Sequence, residues 1–280
     1  MTEAPEWEDP RRVLKRHGLA PKRGFSQNFL VSRSAVERIV DALAPAPDER
    51  VIELGPGLGT LTAALLRKGA RVLALDTDRD MLRVLGEELG HLTQLEAREG
   101  DASALDLNAL APEGGRMAIA GNLPYAVTGA IFRRLVSQHE RVDRAVLMVQ
   151  REVRDRLLGA EGTKQYGALT VFTRAVFDVS PVCLVPAGAF HPPPKVDSAV
   201  VALRPRAAPI DVDDPFFSRA VRAAFEARRK TLRNALQRTF STEHIDAAFA
   251  ATGIVGTRRG ETLYVDEFRA LAAALAEAAR

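Results

Sequence analysis

Residues 51–62 read VIELGPGLGTLT and place a glycine-rich turn between a predicted strand and a predicted helix. The apolar run ends near Glu53, and glycines follow at alternate positions, beginning with Gly55 and Gly57. Such glycines permit a tight turn and let a ligand lie against the backbone. A nicotinamide cofactor usually requires G-x-G-x-x-G, but Thr60 stands where the third glycine belongs. Glu53 suits a cationic ligand such as S-adenosylmethionine, and a tight turn without a ligand is the alternative.

Strand and helix patterns alternate along the chain as far as about residue 157. Short apolar runs such as RVLALD, RMAIAGN and RAVLMVQ are each followed by a segment with apolar residues at helical spacing. This alternation is typical of a doubly wound, mostly parallel α/β sheet. Two later segments, 168–180 and 198–205, are predicted as strands without a helix between them. We therefore expect them to pair antiparallel at one edge of the sheet.

The composition indicates a folded protein that neither spans a membrane nor forms an internal disulfide. Of the 280 residues, 46% are hydrophobic and 27% are charged, and there is a single cysteine. No apolar run is long enough to cross a bilayer. The acidic, polar N-terminus does not resemble a secretory signal. We expect a cytoplasmic monomer.

Composition changes along the chain predict three parts. Residues 1–25 include RRVLKRHGLAPKR and form a mobile basic arm, residues 26–208 form the α/β domain, and residues 209–280 are all helical. A second basic cluster, EARRKTLRNALQR at 226–238, lies in the helical part. Two such clusters indicate a nucleic-acid partner and simple surface charge about equally.

Two acidic residues follow the next strands of the predicted sheet. Asp76 ends the strand after the glycine turn, where an acid commonly binds ribose hydroxyls. Asp78 is an alternative for that role, although it better fits a helix cap. Asp101 follows the third strand and is predicted to accept a hydrogen bond from the adenine amine of the cofactor, with a turn residue as the alternative.

The stretch GNLPYAV at residues 121–127 predicts the reaction. The exocyclic amine of adenine is a poor nucleophile, because its lone pair is delocalised into the ring. Asn122 and a backbone carbonyl at Leu123 would accept its two N–H groups, and Pro124 would stiffen that carbonyl. Tyr125 would stack on a purine that has left any helical stack. Positioning of the amine against the methyl donor then accounts for the rate of transfer. We expect neither a metal nor a covalent intermediate.

Five segments together resemble the small-subunit (16S) ribosomal RNA adenine N6,N6-dimethyltransferases, the dimethyladenosine transferases of kasugamycin sensitivity. They are FSQNFL, ELGPGLGTLT, GNLPYAV, VQREVRDRLL and FHPPPKVDSAVV. The resemblance runs from about residue 22 to the C-terminal helices. It implies a class I, Rossmann-like methyltransferase domain with a small helical RNA-binding domain. It also implies dimethylation of two adjacent adenosines near the 3′ end of 16S rRNA, with the 30S subunit or a late assembly intermediate as partner.

The resemblance also implies site residues. Asn28 and Leu30 would contact S-adenosylmethionine, together with Glu53, Gly55, Gly57, Asp76, Asp101 and Asn122. Family members often carry Glu at the position of Asp76, so this ribose contact is expected to be longer or bridged by water. Phe190 would close the base pocket opposite Tyr125, with a core aromatic as the alternative. Residues expected to face RNA are Lys195, Arg228, Arg229, Lys230 and Arg233.

Three other functions fit parts of the pattern. A related enzyme would methylate 23S rRNA and confer antibiotic resistance. A DNA adenine methyltransferase would more usually carry a second proline in place of Leu123. A non-catalytic assembly or transcription factor would be expected to lose the glycine turn or Asn122 and Tyr125, and all of these are intact.

Overall fold

A computed structural model describes residues 5–22, 24, 27–111 and 115–280. Residues 1–4, Arg23, Phe25 and Ser26, which belong to the predicted arm and to FSQNFL, lie outside the described residues, as do residues 112–114. The strands are β1 Phe29–Leu30, β2 Arg50–Leu54, β3 Arg71–Asp76, β4 Leu95–Glu99, β5 Met117–Asn122, β6 Val142–Gln150, β7 Phe177–Val185, β8 Phe190–His191 and β9 Ser198–Pro205.

The helices of the described residues alternate with these strands, and only helices follow β9. They are α1 Pro10–Arg16, α2 Arg33–Leu43, α3 Thr60–Arg67, α4 Arg79–Leu89, α5 Leu107–Leu110, α6 Thr128–Ser137, α7 Arg151–Leu157, α8 Ala168–Val176, α9 Pro215–Glu226, α10 Leu232–Leu236, α11 Thr242–Thr252 and α12 Val265–Ala278. None of the helices in the described ranges is long and apolar enough to cross a membrane.

The main sheet has seven strands in the order β4-β3-β2-β5-β6-β9-β7. Strands β4, β3, β2, β5 and β6 are parallel, and β9 pairs antiparallel with β6. The predicted mostly parallel sheet with an antiparallel strand near its edge is confirmed. Because parallel strands end at the same edge, Leu54, Asp76 and Asn122 come together there. Short strands β1 and β8 form a separate two-stranded sheet.

Residues 168–180 were predicted as a strand, and this prediction is wrong over the first nine residues. Residues Ala168–Val176 form helix α8, and strand β7 begins only at Phe177. Thr170 explains the start of the helix, because its hydroxyl accepts a hydrogen bond from the N–H of Gly167 at 3.1 Å. The Val, Phe and Thr content of this segment favours a strand locally, and packing overrides it.

The chain divides into two compact units. The first contains the described residues up to Arg154 together with Ser180–Pro205, and the second contains Asp155–Val179 together with Arg206–Arg280. The boundary at 205/206 lies close to the one expected at 208/209. Residues 155–179 belong to the second unit, because Tyr166 is fully buried there and donates a hydrogen bond to the carbonyl of Leu263 at 2.8 Å.

The N-terminal segment contains a packed helix, where we expected a mobile arm. Asp9 caps α1 by accepting from the N–H of Arg11, and Pro10 begins the helix. Val13 and Leu14 are buried against an apolar cluster that includes Phe29, Leu58, Met81 and Val84. The charges of this segment suggested an arm, but its two apolar residues anchor it to the first unit.

Candidate active site

The turn between β2 and α3 has the backbone that its glycines allow. Gly55 and Gly57 have φ angles of +70° and +54°, a region that other residues rarely adopt. A Cβ on Gly57 would lie 3.2 Å from the ring of Phe29. The turn therefore keeps its backbone open to a cleft, as a bound nucleoside cofactor requires.

Asp76 ends β3 beside this turn. Its carboxylate accepts hydrogen bonds from the N–H of Asp78 at 2.9 Å and of Gly57 at 3.3 Å. Burial raises the pKa of Asp76, and these backbone donors offset part of that effect. A carboxylate has about four acceptor positions, so Asp76 retains capacity for ribose hydroxyls.

Glu53 lies behind the turn and does not line the cleft. It is 1% exposed, and the hydroxyl of Thr62 donates to it at 2.6 Å. Burial raises the pKa of Glu53 to about 8, although the Thr62 bond acts in the opposite direction. Direct contact between Glu53 and the cofactor stays a prediction.

Replacing Glu53 with Gln is expected to increase stability above neutral pH. The unfolded carboxyl loses its proton near pH 4.5, whereas the folded one keeps it to about pH 8. The unfolded state therefore binds fewer protons in this window, and the stability of the wild type falls as pH rises. At 1.36 kcal/mol per pKa unit the full effect is roughly 5 kcal/mol, and Glu53→Gln should recover a part of it at pH 8–9. Urea unfolding at pH 5, 7 and 9 measures the difference between the two proteins.

Glu49 provides a control, because the pKa of its carboxyl is shifted in the opposite direction. Burial alone would raise its pKa, but hydrogen bonds from Arg144 hold the pKa of Glu49 below its usual value. Glu49→Gln should therefore lose stability near neutral pH. A stability difference between Glu53→Gln and wild type that does not change with pH would show that the pKa of Glu53 is not raised in the folded protein.

Asn122 ends β5 at the same edge of the sheet. The preceding Gly121 is required because a Cβ there would lie 2.6 Å from the carbonyl oxygen of Leu54 on neighbouring β2. The Asn122 side-chain nitrogen donates to the carbonyl of Asn28 at 3.2 Å. This bond orients the amide and leaves its oxygen without a hydrogen-bond partner among the described residues.

The residues after Asn122 are fixed mainly through their backbone. The Leu123 N–H donates to the carbonyl of Met148 at 3.0 Å. The Pro124 carbonyl accepts from the hydroxyl of Thr128 at 3.1 Å. The carbonyl of Leu123 accepts no hydrogen bond within the described chain. Two acceptors, the Asn122 side-chain oxygen and the Leu123 carbonyl oxygen, are thus unpaired in adjacent residues.

These elements surround one cleft. Its lining residues are Gln27, Asn28, Phe29, Gly55, Gly57, Asp76, Thr77, Met81, Asn122, Leu123, Pro124 and Tyr125. Eight of them were predicted site residues. Gln27 and Phe29 were missed although they flank Asn28 in the quoted motif, and Thr77 was missed although it follows Asp76. Met81 carries no sequence signal, because it is one apolar residue on an ordinary helix.

Besides Glu53, four predicted residues of the first unit lie away from this cleft. Leu30 and Phe190 face each other across the β1–β8 pair and are 7% and 4% exposed, as parts of the apolar core. Asp101 is exposed and accepts from the N–H and hydroxyl of Ser103, both at 2.7 Å. Lys195 is exposed in the loop before β9. Their functional roles stay predictions, and the burial of Phe190 matches the core alternative.

The predicted RNA-facing residues of the second unit fall into two pairs. Arg228 donates to Glu261 at 2.6 Å and to the carbonyl of Thr163 at 2.9 Å. Arg233 pairs with Asp246 and lies 5.5 Å from the ring centre of Phe249. Arg229 and Lys230 are exposed and form no ion pair with the described residues. Arg228 and Arg233 thus have partners within the second unit. The sequence did not reveal these partners, because they are distant along the chain.

Among the described residues, no group of three His, Cys, Asp or Glu side chains is arranged to hold a metal ion.

Known proteins are similar to this chain in sequence and in fold. The family model described as "Ribosomal RNA adenine dimethylase" matches residues 19–277. The ribosomal RNA small subunit methyltransferase A of Anaeromyxobacter dehalogenans (strain 2CP-C) is 45% identical over 282 residues, which cover 96% of this chain and 98% of that protein.

Two solved structures share the fold along most of the chain. A dimethyladenosine transferase from Plasmodium falciparum matches with a TM-score of 0.72 at 26% identity, covering 87% of this chain and 95% of that one. The 23S rRNA methyltransferase ErmE matches with a TM-score of 0.69 at 27% identity, covering 89% and 100%. The class I methyltransferase fold and S-adenosylmethionine as cofactor are confirmed. The family match over residues 19–277 and the 45% identical relative show that this chain belongs to the ribosomal RNA adenine dimethylase family.

Proposed function

We propose that this enzyme transfers methyl groups from S-adenosylmethionine to N6 of two adjacent adenosines near the 3′ end of 16S rRNA. Each adenosine becomes N6,N6-dimethyladenosine, so four methyl groups are transferred in all. The observation that carries the proposal is the pair of unpaired acceptors at Asn122 and Leu123. They lie in the same cleft as the glycine turn and Asp76.

The two acceptors suit the amine of a flipped adenine. Asn122 and Leu123 would each accept one N–H of N6, which holds the nitrogen with its lone pair directed away from them. Tyr125 lines the cleft beside them and would stack on the purine face. Methyl transfer leaves N6 positively charged, and the proton that N6 then loses passes to water.

The cleft residues fit the cofactor. Asp76 would accept the ribose hydroxyls, and the backbone at Gly55 and Gly57 allows close approach of the cofactor. Gln27 and Asn28 line the same cleft and would contact it as well. When bound, S-adenosylmethionine supplies a methyl group on a positively charged sulfur, and the chain supplies the alignment.

We further propose that the substrate is the 30S subunit or its late assembly intermediate in the cytoplasm, with the enzyme acting as a monomer. The 45% identical relative bears the name of a small subunit methyltransferase, whereas ErmE is 27% identical. The test is transfer of labelled methyl groups to 30S subunits that lack them, with 50S subunits and DNA in parallel. Label in 30S alone supports the proposal, and label in 50S or DNA contradicts it.

The exposed pair Arg229 and Lys230 is proposed to contact rRNA phosphates. Replacing both with Gln should weaken binding to 30S subunits. It should also reduce the slope of log K against log salt by about 1.5, because each lost phosphate contact removes roughly 0.7–0.9. Filter binding at several salt concentrations measures both quantities.

Lys68→Gln with Arg79→Gln provides the matched control, since it removes the same charge from exposed positions of the first unit. An equal reduction in slope for both double variants would indicate a general charge effect and would contradict the assignment.

A further inference from the structure

The hydroxyl of Tyr125 forms a hydrogen bond with the hydroxyl of a serine in the main sheet. Its phenol oxygen lies 2.8 Å from the Oγ of Ser198, and Ser198 is fully buried. Ser198 is the first residue of β9 and stands opposite Gln150 at the end of β6. The pair therefore connects the ring that lines the cleft to an antiparallel strand outside the GNLPY motif.

The position of Ser198 is itself fixed. The carbonyl of the preceding Asp197 accepts from the N–H of Arg151 at 2.9 Å, and its carboxylate accepts from the N–H of Ala187 at 3.0 Å. Because Asp197 is held on one side and β9 pairs with β6 on the other, the serine hydroxyl offers a rigid partner. Its buried oxygen has Tyr125 as the one side-chain partner within the described chain.

A hydrogen bond to a phenol restrains the orientation of the ring as well as the position of the oxygen. The phenol O–H is conjugated with the ring and lies in its plane, so a partner on a rigid strand favours one ring orientation. Tyr125 is half-buried, and its ring borders the cleft. The bond with Ser198 thus fixes the plane on which a purine would stack.

Ring orientation is more important for the second methyl transfer than for the first. Adenosine offers two N–H groups to the acceptors at Asn122 and Leu123, but N6-methyladenosine offers only one. The monomethylated base is therefore held by one fewer hydrogen bond, and stacking on Tyr125 carries more of its positioning.

We infer that Ser198 is the positioning residue for Tyr125 and that this hydroxyl pair determines how completely the second methyl group is added. The inference rests on the proposed function.

The test is the ratio of monomethyladenosine to dimethyladenosine in 16S rRNA, measured by nuclease digestion and mass spectrometry after single-turnover reactions. Ser198→Ala should slow the first transfer by about threefold and the second by about tenfold, the range expected for one lost neutral hydrogen bond. Monomethyladenosine should then accumulate. Tyr125→Phe removes the same bond from the accessible side and should give the same ratio. The double variant should be no worse than either single variant.

Thr170→Val is the matched control, because it removes an equally buried hydroxyl that bonds to the Arg156 carbonyl in the second unit. It should leave the product ratio as in wild type. An unchanged ratio in Ser198→Ala and Tyr125→Phe, or additive effects in the double variant, would overturn the inference alone. A wild-type enzyme that leaves 16S adenosines unmethylated would overturn the proposed function and this inference with it.

Discussion

Asn122→Ala should lower the rate of methyl transfer to 30S subunits by on the order of 10³-fold, the loss typical of a preorganised hydrogen-bonding group. The side-chain oxygen of Asn122 has no other partner in the described chain, and its nitrogen is already held by Asn28 at 3.2 Å. Removing the amide leaves only the Leu123 carbonyl to hold N6. The amine then rotates, and its lone pair is no longer aligned.

The affinity for S-adenosylmethionine should change by no more than a few-fold in this variant, because the glycine turn and Asp76 are untouched. Isothermal titration with the cofactor and single-turnover transfer to 30S subunits separate the two effects. Asn108→Ala is the control, since Asn108 is exposed on α5 and its side-chain oxygen accepts from Arg141. If Asn122→Ala lost cofactor affinity in proportion to its rate, the lost rate would come from the cofactor contact of Asn122 and not from its role as an amine acceptor.

The second large effect is expected at Asp76. Replacing it with Ala should weaken S-adenosylmethionine binding by roughly 100-fold, since hydrogen bonds to a charged group contribute about 1.5–3 kcal/mol each. The change also leaves the N–H groups of Gly57 and Asp78 without their carboxylate partner, which loosens the turn. The rate at saturating cofactor should fall much less than the affinity.

Asp76→Asn tests the charge separately, because it keeps one acceptor oxygen; an intermediate loss of about tenfold is expected. Asp106→Asn serves as the control, since Asp106 is exposed and caps α5 away from the cleft. Titration with S-adenosylhomocysteine gives the affinities without turnover. Equal affinity of Asp76→Ala and wild type would show that the ribose is held elsewhere.

The sheet and the cleft were largely predictable because their signals are local. A strand that ends at Leu54 and runs into alternating glycines has few other conformations open to it. Asp76 and Asn122 each end the next strands of the same pattern, so their convergence follows from parallel pairing. The acceptors at residues 122–123 could likewise be assigned from the chemistry of an aromatic amine.

The errors arose where distant residues determine the outcome. Helix α8 depends on Thr170, whose hydroxyl also donates to the carbonyl of Arg156 at 2.6 Å. The ion pair of Arg228 with Glu261, which lies far along the chain, was likewise not predictable from the sequence, and the contact of Arg228 with RNA stays a prediction. The docking of α1 depends on Val13 and Leu14, two apolar residues within a charged stretch. Neither composition nor periodicity reports such partners.

Mapping of the methylated nucleotides tests the central claim most directly. Undermethylated 30S subunits are incubated with S-adenosylmethionine and either wild type or Asn122→Ala. The 3′-terminal fragment of 16S rRNA is then analysed by mass spectrometry. The account predicts two adjacent N6,N6-dimethyladenosines with wild type and none with Asn122→Ala at the same enzyme concentration. Methylation at another position or atom, or full dimethylation by Asn122→Ala, would contradict it.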